Sequence, residues 1–82
     1  MRLPRDISGM ELVKLLGRYG YRVTWQTGSH IRLTTTLGGE HHITIPSHPL
    51  LRVGTLNAIL SEIAWHFKID KAKLIQKMWS KA

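Results

Sequence analysis

"YRVTWQTGSHIRLTTTLGGEHHITIP", residues 21–46, is the stretch on which the fold turns. Three runs in it alternate apolar and polar residues, the period of a half-buried strand. Tyr21, Val23 and Trp25 alternate with Arg22, Thr24 and Gln26. Ile31, Leu33 and Thr35 alternate with His30, Arg32 and Thr34. Ile43 and Ile45 alternate with His42 and Thr44, and Pro46 ends the run because it has no N–H for a ladder. Thr27-Gly28-Ser29 and Leu37-Gly38-Gly39-Glu40 are short enough to turn hairpins. The stretch predicts a three-stranded antiparallel meander. Its apolar face carries Val23, Trp25, Ile31, Leu33, Ile43 and Ile45. Its wet face carries Arg22, Thr24, Gln26, His30, Arg32, Thr34, His42 and Thr44.

Register between the second and third strands follows from parity. Inward residues must face one core, so paired positions share it. Thr34 opposite Thr44 satisfies this and brings His48 toward His30. A slip of two also satisfies it, with Pro46 opposite His30 and His48 one step beyond.

Helices flank the meander. Ser8 followed by Glu11 is a capping box, and Ile7 with Leu12 is a hydrophobic staple. Leu12, Val13, Leu15, Leu16 and Tyr19 stripe a helix over Gly9 to Tyr19, stopped by Gly20. A proline-containing loop, "PSHPLLRVG", follows the third strand. A second helix is expected to start with Thr55 as its N-cap and to bury Leu56, Ile59, Leu60, Ile63, Ala64 and Phe67. Asp70 caps a third, with Ile69 and Leu74 as a staple. Its apolar stripe is Leu74, Ile75, Met78 and Trp79, ringed by Lys71, Lys77 and Lys81. The expected fold is α+β: α-β-β-β-α with a three-stranded antiparallel sheet, helices on one face, and an added C-terminal helix.

Eighty-two residues leave room for one core, so the chain reads as a single domain over 1–82, with 70–82 a helical extension. Twelve Lys and Arg against five Asp and Glu give a net charge of +7 and a pI near 10.4, the footprint of a protein that meets polyanions or an acidic partner. The chain has no cysteine, so no disulfide or thiolate metal site supports it. That is consistent with a reducing cytosol. No apolar run approaches the ~20 residues of a membrane span, and the start lacks a signal-peptide core. A soluble cytoplasmic protein is expected.

Five histidines are the candidates for chemistry. His41 and His42 are adjacent on a strand and point to opposite faces, so they do not share a metal ion easily. With no His-x-x-x-His pair either, neither a metal nor a cofactor is expected. His66 suits the negative end of a helix. His48 is either a turn residue or part of a site. His30 follows a Gly-Ser turn and shares the wet face with Arg32. An imidazole accepts and donates protons near neutral pH. Arg32 and Arg22 offer charge to phosphates, and Ser29 with the turn amides offers donors to an anion. A base beside a held phosphodiester is what metal-free RNA cleavage needs. From spacing alone, a solvated strand residue is the better reading of His30, by about two to one.

Resemblance adds to this. "ISGMELVKLLGRYGYRVTWQTGSHIRLTT" and "HHITIPSHPLLRVGTLNAIL" resemble the HicA toxin family. The first carries a helix and strand leading to Gly28-Ser29-His30. The second carries Pro46-Ser47-His48 and Gly54-Thr55-Leu56. The resemblance spans about residues 5 to 69. It implies a fold like a double-stranded-RNA-binding domain and a metal-independent mRNA interferase. It also implies blocking by a cognate HicB-type antitoxin. It makes His30 the active histidine, with Gly28 and Ser29 its turn. The role of Arg32 comes from the charge argument alone.

Two rivals stand beside an RNase toxin. A non-catalytic RNA-binding module would read duplex RNA by shape and need no particular histidine. A protein-interaction domain would spend its charge on an acidic partner. Product formation separates the first from both.

Overall fold

In the computed structural model, Leu3 and residues 6–79 are described. The described chain forms two compact units, Asp6–Leu51 and residues 52–79 with Leu3. Elements follow in the order α1 (Gly9–Leu16), a 3₁₀ turn (Gly17–Tyr19), β1 (Arg22–Gln26), β2 (His30–Thr35), β3 (His41–Pro46), α2 (Val53–Phe67) and α3 (Lys71–Met78). This is the expected α+β arrangement, with one antiparallel sheet ordered β1-β2-β3. No described helix is long and apolar enough to cross a membrane.

The first unit begins at the capping box. Ser8 Oγ accepts from the Glu11 amide at 3.0 Å, and Glu11 Oε1 accepts from the Ser8 amide at 3.1 Å. Two orphan donors of the helix start are thereby satisfied. Ile7, Leu12 and Leu16 are buried. The helix expected to run to Tyr19 is α-helical only to Leu16, and its last turn tightens to 3₁₀. Gly20 stops it in the left-handed region at φ 81°, where its amide reaches the Gly17 carbonyl at 3.1 Å.

The start of α1 is stitched to the segment after β3. The Gly9 amide donates to the His48 carbonyl at 2.9 Å, and the Leu51 amide to that of Ile7 at 2.8 Å. A methyl on Gly9 would overlap the Pro46 carbonyl, so only glycine fits there.

β2 and β3 pair Thr35 with His41, Thr34 with His42, Leu33 with Ile43, Arg32 with Thr44, Ile31 with Ile45 and His30 with Pro46. Of the two registers that parity permits, this is the one slipped by two. Ile31, Leu33, Ile43 and Ile45 are buried as expected. Thr35 is buried with them and satisfied. Its hydroxyl donates to the Tyr19 carbonyl at 3.0 Å and accepts from the Leu37 amide at 3.2 Å. The buried Tyr21 meets His41 through its hydroxyl, 2.7 Å from Nδ1.

β1 departs from expectation. Arg22 faces Thr34 and Val23 faces Leu33, but the register then shifts, so that Trp25 faces Arg32 and Gln26 faces Ile31. Thr24 is the extra residue of a β-bulge, and one extra residue reverses which side every later side chain takes. Trp25 therefore joins the wet face, 58% exposed, and Gln26 moves to the parity of the core. Val23 keeps core parity yet is 47% exposed.

In the second unit α2 and α3 pack together. Leu56, Ile59, Leu60, Ile63 and Ala64 are buried on α2, and Leu74, Ile75 and Met78 on α3. α2 starts two residues before the expected cap. Arg52 is its N-cap, without a side-chain hydrogen bond, and Thr55 lies inside the first turn. His66 lies in the last turn, at the negative end of the helix. Lys68, in the left-handed region, closes α2, and Asp70 Oδ1 caps α3 by accepting from the Lys73 amide at 3.1 Å. Ile69, expected to staple onto the buried Leu74, is exposed. Lys81 lies outside the described residues.

Candidate active site

The turn before His30 is closed from within and held from outside. Thr27 donates its amide to the His30 carbonyl at 2.9 Å, and its hydroxyl accepts from the His30 amide at 3.2 Å. Ser47, just past β3, donates its amide to the Ser29 carbonyl at 3.0 Å and its hydroxyl to the Gly28 carbonyl at 2.9 Å. The Gly28 and Ser29 carbonyls are thus both tied to Ser47. Among the described residues no acceptor takes the amide hydrogens of Gly28 or Ser29. Turn amides without an acceptor in the protein attract an anion. Gly28 has open space above it and no left-handed backbone, so nothing within the protein demands glycine there. A residue of that kind suits the close approach of another molecule's backbone.

His30 is exposed, and its Nδ1 lies 3.1 Å from the hydroxyl of Ser29. With the proton on Nδ1 and donated to Ser29 Oγ, Nε2 presents a lone pair to solvent, the state a general base needs. Arg32 is two residues along β2 on the same face, roughly 7 Å away by strand rise. Arg22 reaches that face farther along, opposite Thr34. His48 is exposed two residues beyond Pro46, the partner of His30, and its carbonyl is the one bonded to Gly9. The expected site residues Gly28, Ser29, His30 and Arg32 are therefore brought together, with Arg22 and His48 at opposite ends.

Periodicity alone missed three features. One is Ser47. Another is Trp25, hidden by the bulge. The third is a run of hydrogen bonds across the wet face. Thr24 Oγ1 lies 2.9 Å from Thr34 Oγ1, which lies 2.7 Å from His42 Nδ1, and His42 Nε2 meets Glu40 Oε2 at 2.7 Å. Residues two apart on an extended chain share a face, so the Glu40/His42 spacing carried that last signal. Thr24, Trp25, Arg32, Thr34, Glu40 and His42 line most of a shallow open pocket of about 590 Å³.

Fold and site define a small, basic α+β protein whose sheet holds a histidine and an arginine toward solvent. Residues 9–65 match the family model described as HicA toxin of bacterial toxin-antitoxin, and the chain belongs to that family. No curated protein and no solved structure matches it.

Proposed function

We propose that this chain is the toxin of a type II toxin–antitoxin pair and acts in the cytoplasm as a metal-independent endoribonuclease on mRNA. The toxins of its family are RNases. The observation that carries the reading is the exposed His30 imidazole, with Nδ1 beside Ser29 Oγ and with Arg32 on the same face. His30 Nε2 removes the proton of a ribose 2′-OH, and that oxygen attacks the adjacent phosphorus. The bond to the 5′ oxygen breaks, and His48 supplies the proton that oxygen needs. Arg32, Arg22 and the amides of Gly28 and Ser29 hold the phosphate and its growing charge. The products end in a 2′,3′-cyclic phosphate, or the monophosphate its hydrolysis gives, and in a free 5′-OH. Metal independence rests on the lack of cysteine and of a helical His-x-x-x-His pair.

A HicB-type antitoxin neutralises the enzyme by covering this face, and should protect His30 from chemical modification. The direct test is purified protein with end-labelled mRNA in EDTA, beside His30→Ala. Cleavage by the parent, with a cyclic phosphate or its hydrolysis product on the RNA, and none by a folded His30→Ala chain supports the reading. An active His30→Ala chain overturns it, as does loss of activity in EDTA restored by one specific metal. His30 is exposed, so its removal should move stability by less than ~0.5 kcal/mol.

A further inference from the structure

We propose that the pocket beside Arg32 is a subsite for one unpaired nucleobase of the RNA, which stacks on the indole of Trp25. The proposal rests on the RNA-cleaving reading above and specifies how that same face takes its substrate.

A tryptophan on the charged face of a sheet, 58% exposed, leaves more than half of its surface in water. It is there because the Thr24 bulge turns it away from the core parity its spacing implies. The bulge sets it directly across from Arg32, in a pocket whose other walls, Thr24, Thr34, Thr36, Glu40 and His42, each carry a hydrogen-bonding side chain. One apolar plate among hydrogen-bonding groups matches a nucleobase, which has a π-face and a polar edge. Arg32 then lies between the base on Trp25 and the phosphate at His30. From the strand rise and strand spacing, Trp25 and His30 stand roughly 8 Å apart at the backbone, suited to neighbouring nucleotides. A duplex conceals its base faces, so the substrate region must be single-stranded or splayed open. The hydrogen-bonded run from Thr24 to Glu40 fixes the polar edge of the pocket, with Glu40 as acceptor and His42 held between Thr34 and Glu40.

The test uses the full chain carrying His30→Ala, so that RNA is bound and not cut, and a short unstructured fluorescent oligoribonucleotide. Trp25→Ala should weaken binding roughly 5- to 150-fold, the range spanned by base–aromatic stacking. Trp25→Phe should restore most of it, and Trp65→Ala, at an exposed tryptophan of α2, should leave it unchanged. The salt dependence should keep its slope in Trp25→Ala, because an indole neutralises no phosphate. Without touching the protein, moving a single abasic position along the oligonucleotide should find one place that weakens binding. At that place Trp25→Ala should add no further loss. If Trp25→Ala binds RNA as the parent does, the subsite is wrong. If it instead weakens only the complex with an antitoxin protein, Trp25 is a protein-docking residue and the subsite is also wrong. A His30→Ala parent that binds no RNA even at low salt would bring down the RNA reading itself, a result distinct from a bound parent with an indifferent Trp25.

Discussion

Ser47 holds Gly28: its hydroxyl donates to the Gly28 carbonyl at 2.9 Å, while its amide reaches the Ser29 carbonyl at 3.0 Å. The turn that presents His30 is therefore positioned by the end of β3, and its shape does not depend on its own residues alone.

Ser47→Ala removes the hydroxyl bond and leaves the amide bond. The expected loss of stability is small, about 0.5–1.5 kcal/mol for one hydrogen bond. Cleavage should fall further than stability does, because the Gly28 and Ser29 amides lose their fixed direction. Thermal melts and single-turnover rates on the same variant check this. Equal rates in variant and parent would mean that the amide bond alone sets the turn.

Gly9 and Gly28 should respond oppositely to alanine. At Gly9 the new methyl meets the Pro46 carbonyl, so backbone must move, and a loss of about 1–3 kcal/mol or more is expected. At Gly28 the methyl meets nothing within the protein, so stability should hold while RNA cleavage drops. Urea unfolding paired with an RNA cleavage assay separates the two. A Gly28→Ala chain with parental cleavage would show that no substrate atom comes close there.

Binding to RNA should weaken steeply with salt, because Lys and Arg displace condensed cations. Arg32→Ala and Arg22→Ala should each lower affinity and flatten the slope of log affinity against log salt. The change is about 0.7 for each phosphate of single-stranded RNA that the variant no longer neutralises. An unchanged slope in the double variant would place the RNA away from this face.

Base and acid should both be visible in the pH dependence. With His30 taking a proton and His48 giving one, single-turnover cleavage should follow a bell, and His48→Ala should lose the alkaline limb that reports the acid. A His48→Ala chain with the parental rate and profile would assign the leaving-group proton to water or another residue.

Much of this protein is determined by local pattern. The Ser8–Glu11 capping box, the alternation of Ile31 and Leu33 with His30 and Arg32, and the Asp70 cap each need only neighbours in sequence, and each stands in the structure as read. The exposure of His30 follows from the same alternation. Tertiary structure decided the rest. A slip of two residues keeps every side chain on its own face, so alternation cannot choose between His48 and Pro46 as the partner of His30, and pairing placed Pro46 there. Alternation also carries no mark of a bulge, because Thr24 becomes the extra residue only once β1 is laid against β2. That single unpaired residue sends Trp25 to the wet face beside Arg32, where sequence spacing had assigned it to the core. The hold of Ser47 on Gly28 has the same origin, since residues nineteen apart in the chain meet only through the chosen register.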